Sequence, residues 1–208
     1  KNDGDPAMTI GFTARRNLEL TETLRTKEKK GSLLWVLDKT KTSMGKRLMK
    51  KYLEQPLINP AAIIERLDAV EAFVNDPVLL GEITEQLSGI YDIERLMTRV
   101  MYQTATPRDL KSLSLTALKL PDLKKMLAEV PAKLVDKLNR KMSTLEPISN
   151  LIENALVDDP PAVLKDGGVI REGYNEELDG LRNIITGGKD IIEDIEKRER
   201  EKTGIKNL

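Results

Sequence analysis

One stretch of the sequence, residues 32–60 (SLLWVLDKTKTSMGKRLMKKYLEQPLINP), constrains the fold more than any other. Ser32 is suited to cap a helix, and the residue before Pro56 is pushed out of the helical region. Between these limits, Thr42 and Ser43 offer a second cap, which predicts two helices with a bend between them. The apolar residues recur three and four positions apart, which predicts one buried helical face consisting of Leu34, Leu37, Met44, Leu48 and Tyr52.

The opposite face of this stretch is basic and carries Lys39, Lys41, Lys46, Arg47, Lys50 and Lys51. Four of these cations are candidates for contacts with phosphate groups, namely Lys46, Arg47, Lys50 and Lys51. A solvated face is the favoured interpretation, because Tyr52 is the one aromatic residue nearby and acidic residues flank the cations. Trp35 lies inside an apolar run and is predicted to belong to the core rather than to stack on a ligand.

The composition favours an all-α fold and excludes several kinds of chemistry. Leu, Glu, Lys and Arg are frequent and aromatic residues are few, as in helical proteins. The 34 basic residues equal the 34 acidic ones, so no global field attracts nucleic acid or an acidic membrane. Without cysteine and histidine, the chain has no disulfide, no thiolate zinc site and no Ser/His or Cys/His nucleophilic pair. No apolar run is long enough to span a bilayer, so we expect a cytoplasmic protein.

Amphipathic segments bounded by proline, glycine or asparagine fill the middle of the chain and predict a multi-helix bundle. The expected helices cover residues 60–75, 78–87, 91–102, 107–120, 122–127, 131–138 and 148–156.

Two short segments predict a minor β element. Residues 8–12 alternate between apolar and polar side chains, and residues 169–171 follow the turn signal at Gly167-Gly168. No other short strand is obvious, so we expect these two segments to pair and to hold the ends of the domain together.

The last element is predicted to be the longest, a helix over residues 175–202. A heptad-like seam runs along it through Tyr174, Leu178, Leu181, Ile185, Ile192 and Ile195. Gly187-Gly188 predicts a kink or a loosened turn. After a helix end at Gly204, residues 205–208 alternate like the start of a strand, so we expect a piece of a longer protein. Residues 1–7 carry nothing to bury and are expected to be flexible.

No cofactor or metal motif stands out. Gly187-Gly188-Lys189 lacks the first glycine and the Ser or Thr of a phosphate-binding loop. The acidic groups Asp158-Asp159 and Glu193-Asp194-Glu196 have no convergent ligands, so solvated carboxylates are favoured over a metal site. No catalytic residue is predicted.

A series of segments in this order resembles the core of the MutS family of DNA mismatch repair proteins. The segments are TARRNLEL at 13–20, residues 33–57, RLDAV at 66–70, DIERL at 92–96 with Arg99, PRDL at 107–110, DDPP at 158–161, GGVIREGYNEELD at 167–179 and REREKTGI at 198–205. Gly11 departs from the pattern, in which an aspartate is usual. The resemblance implies a helical core at 8–173, a lever helix at 174–203 and the truncated start of a clamp domain at 204–208.

The resemblance also implies the function and the partners. It describes a non-catalytic part that couples ATP-dependent change to clamping of mismatched duplex DNA, while ATP and Mg belong to the intact protein, a DNA-dependent ATPase. The intact protein is expected to be a homodimer that works with mismatch repair partner proteins and without a membrane. A second lever helix would cover the seam, so here the seam is expected to be exposed or to pair with another copy. The alternatives are a MutS paralogue acting in recombination, a helical protein-interaction scaffold and, last, an enzyme.

Overall fold

The computed structural model describes residues 7–204, and this part of the chain is built from helices and the loops between them. It contains ten α-helices and one short 3-10 helix, Leu164–Asp166. The α-helices are α1 Phe12–Asn17, α2 Leu33–Leu37, α3 Ser43–Glu54, α4 Pro60–Asn75, α5 Pro77–Ser88, α6 Ile93–Met101, α7 Pro107–Ala128, α8 Lys133–Lys141, α9 Glu146–Ala155 and α10 Glu176–Thr203. The predicted all-α fold is confirmed. The predicted lead-in before residue 7 and the predicted strand after residue 204 lie outside the described residues.

Helix α7 is the centre of the fold because it contributes to both hydrophobic clusters. The larger cluster joins α4, α5, α7, α8 and the loop before α8 through Ala69, Leu79, Ile83, Leu120, Leu123, Val130, Ala132 and Val135. The second cluster joins α6, α7 and α9 through Leu96, Leu113, Ile152 and Leu156. Burial against two sets of helices explains how one long helix holds the bundle together.

The predicted bend between the first two helices of the 32–60 stretch is confirmed. Ser32 caps α2, and its hydroxyl accepts a hydrogen bond from the backbone N–H of Trp35 at 3.3 Å. Thr42 caps α3 and accepts from the backbone N–H of Gly45 at 3.0 Å. Each cap satisfies a donor that a helix start leaves without a partner.

The predicted helix break at Pro121 is wrong, because α7 continues through this residue to Ala128. A proline inside a helix removes one hydrogen bond and costs about 3 kcal/mol. Here Leu120 and Leu123 on either side are both buried in the larger cluster. Their burial offsets the local cost, so tertiary packing overrides the sequence signal.

The predicted pairing of residues 8–12 with residues 169–171 is also wrong. Two isolated antiparallel bridges, Ala7 with Leu57 and Leu156 with Ile170, replace it, and no strand forms between residues 7 and 204. In each bridge the partner is closer in sequence than the predicted one, and closing a shorter loop costs less entropy.

The apolar face of α2 and α3 is only partly buried in this structure. Leu34 is buried, whereas Leu48 and Tyr52 are exposed. Trp35, predicted to lie in the core, is 48% exposed, so that prediction is wrong. Tyr52 instead stacks beneath the guanidinium of Arg66 on α4, which lies 3.9 Å from the ring centroid.

Helix α10 is the long final helix that the sequence predicts, and it continues without interruption through Gly187 and Gly188. Its 28 residues correspond to a rod of about 42 Å. Most of the predicted seam is exposed, with Ile185 and Ile192 63% and 65% exposed. The seam therefore has no cover from the part of the chain that the structure describes.

Candidate functional site

Two features of the structure are candidates for function: a basic groove beside α3 and the junction between the helical bundle and α10. The groove encloses about 480 Å³ and lies where α3 faces the loop before α2 and the start of α6. Its lining residues are Thr21, Glu22, Lys29, Leu34, Ser43, Lys46, Arg47, Lys50 and Arg95. Five cations and one carboxylate therefore face the same concave surface.

Arg47 occupies the middle of the groove and clamps α3 to the start of α6. Its guanidinium donates to both carboxylate oxygens of Asp92, at 2.7 and 2.8 Å, and also to Glu94. These bonds raise the pKa of Arg47 and lower that of Asp92 to about 2. Asp92 also caps α6 by accepting from the backbone N–H of Arg95 at 3.3 Å. The carboxylate of Asp92 therefore both caps α6 and fixes the position of Arg47 in the groove.

Lys29 is held in a similar way by Asp38, whose side chain is only 6% exposed. The hydrogen bond from Lys29, together with one from Thr40, lowers the pKa of Asp38 to about 2. Both carboxylates are mostly buried, Asp92 having 14% of its side chain exposed, whereas Lys29 and Arg47 keep 37% and 43%. Lys29 and Arg47 are thus more exposed than Asp38 and Asp92, whereas Glu94, the other partner of Arg47, has 70% of its side chain exposed.

The structure brings together three of the four predicted phosphate-contacting residues. Lys46, Arg47 and Lys50 line the groove, while Lys51 lies outside its lining. Lys50 has a distant partner in Glu54, at 3.9 Å. Lys46 has no acidic side chain within ion-pair distance among the side chains that the structure describes, those of residues 7–188 and 191–204.

Sequence reasoning missed two lining cations, Lys29 and Arg95. Lys29 lies in the loop before α2 and Arg95 lies on α6, so neither belongs to the basic face that the sequence indicates within residues 32–60. Arg95 reaches the groove because Arg47 on α3 pairs with Asp92 at the start of α6, so no local signal identifies it.

The second feature is the junction at the start of α10. Arg182 donates to the backbone carbonyl of Ile170 at 2.8 Å and contacts Asp179 at 3.3 Å. Asp179 in turn accepts from the backbone N–H of Gly173 at 2.7 Å, and Asn175 caps the helix. The first two turns of α10 are thereby fixed to the turn that precedes them.

That turn is itself attached to the bundle. Ile170 packs against the second hydrophobic cluster and pairs with Leu156 in the antiparallel bridge. The backbone N–H of Arg171 donates to the carbonyl of Ala155 at 2.8 Å, and its guanidinium donates to Asp158 at 2.7 Å. The bond from Arg171 lowers the pKa of Asp158. Apolar packing and polar bonds therefore connect the end of α9 to the start of α10.

A buried lysine extends this network into α7. The ammonium of Lys111 donates to Glu153 at 2.8 Å and lies 3.9 Å from Asp158. Ser114, fully buried, donates to the other oxygen of Glu153 at 2.6 Å. The bond from Lys111 is the main reason that the pKa of Glu153 is lowered. The central helix, α9 and the turn before α10 thus share one polar network.

Sequence reasoning did not identify Arg182, Lys111 or Glu153 as important. Arg182 lies three residues after Asp179 on a predicted helix. This i, i+3 spacing of opposite charges was the sequence signal that could have predicted their contact. Lys111 and Glu153 are 42 residues apart, and only the packing of α7 on α9 brings them together.

The acidic groups considered as metal sites are not assembled as such. Asp158 contacts Arg171, and Asp159 lies 3.9 Å from Arg108. Among the side chains of residues 7–188 and 191–204, no group of three or more acidic residues is arranged to hold a metal ion. Across the same residues, no helix has the length and apolar character needed to cross a membrane.

Comparison with known proteins identifies the family. Residues 13–207 match MutS domain III. The chain is 48% identical over 201 residues to the DNA mismatch repair protein MutS of Alkaliphilus oremlandii and 49% identical to that of Ruminiclostridium cellulolyticum. Each alignment covers 97% of this chain and 23% of the relative, so the chain spans about a quarter of their length. The chain belongs to the MutS family and corresponds to its domain III.

Proposed function

We propose that this chain is the core and lever of a DNA mismatch repair protein and couples an ATP-dependent conformational change to clamping of mismatched duplex DNA. The core corresponds to residues 8–173, the lever to residues 174–203, and residues 204–208 to the start of a clamp domain. The relatives are named DNA mismatch repair proteins, which supports the biological process.

The observation that carries this proposal is the way α10 is attached. Arg182 and Asp179 fix its first two turns to a turn that packs on the bundle, whereas Ile192 and Ile195 further along are exposed. A helix is stiff over a length of about 42 Å, so a small rotation at the fixed end becomes a large displacement at the other end. This geometry suits a transmitter of motion.

The exposed seam supports the same proposal. Leu181, Ile185 and Ile192 are spaced by four and seven residues, as in helices that pack side by side. A second helix along this seam would bury the apolar side chains and stiffen the lever. In the intact protein that helix would return from the clamp.

The chain carries no catalytic role in this proposal. Binding of ATP and Mg, the ATPase reaction, homodimer formation and contacts with repair partner proteins belong to the intact protein. Its proposed location is the cytoplasm. This chain contributes the mechanical link, and its equal numbers of basic and acidic residues agree with such a role.

Duplex DNA binding tests the proposal. Binding is measured with and without a mismatch for this chain and for a longer polypeptide that continues through the clamp and the returning helix. We expect tight and strongly salt-dependent binding of duplex DNA by the longer polypeptide and at most weak binding by this chain. Failure of the longer polypeptide to bind would remove the DNA assignment and favour a protein-interaction scaffold.

A variant of the intact protein, to which ATP binding is assigned, tests the coupling itself. Arg182→Ala loosens the fixed end of the lever, so ATP should release the DNA less effectively while DNA affinity without nucleotide stays the same. Arg200→Ala, which removes a pair with Glu196 near the other end of α10, is the matched control. If ATP releases DNA equally well from the unmodified protein, the Arg182→Ala variant and the Arg200→Ala variant, the lever proposal is wrong.

A further inference from the structure

We propose that α10 pairs antiparallel with α10 of a second copy of this chain, along its exposed seam and with the crossing point at Gly187-Gly188. The inference does not rest on the proposed function, and the contact is separate from the homodimer assigned to the intact protein. In the longer polypeptide the returning helix would occupy the same seam, so self-pairing and the returning helix exclude each other.

The apolar residues of α10 are placed symmetrically about Gly188. Pairs of them lie three, four and seven positions before and after this glycine, namely Ile185 and Ile191, Ile184 and Ile192, and Leu181 and Ile195. In a two-fold symmetric interface both copies use the same patch, so the patch must complement itself. An antiparallel pair places the half of α10 before Gly188 against the half after it in the other copy. Large apolar side chains then meet large apolar side chains on both sides of the crossing point.

These six side chains have no cover in the part of the chain that the structure describes, where they are 52–71% exposed. If each loses on the order of 100 Å², the two copies together bury roughly 1,200 Å², the lower limit for a specific interface. We therefore expect a reversible dimer that forms at high protein concentration rather than a permanent one.

Gly187 and Gly188 suit the point at which two helices cross. A Cβ added at either residue would meet none of the described atoms within 4 Å outside the backbone of α10 itself, so the space beside them is open. Glycine is unfavourable inside a helix relative to alanine, but it lets another backbone approach closely. The heptad-like spacing of the seam corresponds to a crossing angle of about 20°, which keeps the two helices together on both sides of the glycines.

Charges at the two ends of α10 favour the antiparallel orientation. Glu176 and Arg198 lie on the same side of the seam, about 100° from its centre at 3.6 residues per turn. Neither has an ion-pair partner among the side chains that the structure describes. In the antiparallel pair Glu176 lies near Arg198 of the second copy, and the symmetry repeats this contact. Glu199 faces Glu177 of the second copy, but it is already paired with Lys202 at 3.3 Å.

A parallel pair would be unfavourable for two reasons. The acidic first turn of α10, with Glu176, Glu177 and Asp179, would lie beside the same turn of the other copy, and like charges repel. The first two turns are also fixed to the bundle through Arg182 and Asp179, so both bundles would lie at the same end of the pair. The antiparallel pair places the bundles at opposite ends.

Sedimentation equilibrium of the chain, from micromolar to near-millimolar concentration, tests the proposal. We expect the mean mass to rise reversibly from one chain towards two. The variant Ile185→Asn/Ile192→Asn should remain monomeric over this range, because it places two amides in the apolar seam. Circular dichroism checks that it remains helical.

The matched control is Val70→Asn/Val74→Asn on α4, which changes two apolar residues that are 57% and 67% exposed. It should form the dimer as the unmodified chain does. A chain that stays monomeric throughout, or a seam variant that associates equally well, would overturn the proposal. Loss of the dimer in the control alone would place the contact on α4 and would overturn it as well.

Disulfide cross-linking tests the orientation, because the chain has no cysteine of its own. Leu181→Cys and Ile195→Cys are oxidised separately and as a mixture. In the antiparallel pair each cysteine is about 21 Å from the same residue of the other copy, too far for a disulfide. We expect the mixture to cross-link at least about tenfold faster than either variant alone. Equal rates in the three samples would indicate a parallel or random contact and would contradict the proposal.

Discussion

Arg182 Nη2 lies 2.8 Å from the backbone oxygen of Ile170 and donates a hydrogen bond to it. This contact joins the longest helix of the chain to a residue that packs on the second hydrophobic cluster. Asp179 strengthens the same attachment, because its carboxylate accepts hydrogen bonds from the backbone N–H of Gly173 and from the guanidinium of Arg182. The start of α10 is therefore a defined joint rather than a loose extension of the bundle.

Arg182→Ala should loosen this joint without unfolding the bundle. A hydrogen bond from a charged donor contributes about 1.5–3 kcal/mol, and the partial exposure of Arg182 places the loss near the lower end. We expect amide hydrogen exchange in the first two turns of α10 to accelerate about tenfold, with α7 unchanged. Arg200→Ala should leave these amides unaffected. Equal exchange in the two variants would contradict the role of Arg182.

Lys111→Met should destabilise the whole bundle, because it leaves Glu153 and Ser114 without their buried cation. Removing one partner of a buried pair costs about 3–5 kcal/mol, and partial exposure of Glu153 reduces this to about 2 kcal/mol. Urea unfolding measures the loss. Lys125→Met on the same helix removes an exposed pair with Asp122 and should change stability by less than about 0.5 kcal/mol. A loss as small as that of the control would contradict the prediction.

Two substitutions at Asp92 should separate its roles as an ion-pair partner and as a helix cap. Asp92→Asn keeps a good cap for α6 and weakens the bond to Arg47, whereas Asp92→Ala removes both. We expect a loss of about 1 kcal/mol for Asn and about 2 kcal/mol for Ala in urea unfolding. Equal losses would show that the cap contributes nothing.

Stability should fall in acid because several carboxyl groups have lowered pKa values in the folded chain. Bonds from Lys29 and Arg47 lower those of Asp38 and Asp92 from 3.8 to about 2, and the pKa of Glu153 is lowered as well. A carboxyl with a lower pKa in the folded state stabilises the fold above its unfolded pKa and loses this effect as the pH falls through the folded value.

The urea midpoint should therefore be constant above about pH 5 and decrease steadily between about pH 4 and pH 2. Asp92→Asn should flatten part of this decrease, because it removes one of the shifted groups. A midpoint that does not change between these limits would contradict the assignment of the ion pairs.

Local patterns in the sequence predicted most helices and their limits. Ser32 and Thr42 cap helices where the sequence places caps, because capping depends on a few neighbouring residues. The long α10 was equally predictable from its apolar spacing. The family resemblance, carried by short segments in a fixed order, was also visible in the sequence and is confirmed.

Tertiary packing alone decided three other features. Leu120 and Leu123 are buried deeply enough for α7 to continue through Pro121, which local propensity predicts as a break. Ile170 pairs with Leu156, so the predicted ladder with residues 8–12 does not form. Lys111 and Glu153 meet only because α7 packs on α9.

The candidate sites divide in the same way. The row of Lys46, Arg47 and Lys50 follows from helical spacing along the chain. Whether these cations face solvent or a groove, and which acids pair with Arg47, depends on where the tertiary structure places the start of α6 relative to α3. Spacing along one helix is a property of the local chain, whereas contacts between distant helices depend on burial of the whole core. The sequence by itself therefore determined the helices and the basic face, and the tertiary structure decided the groove and the joint at Arg182.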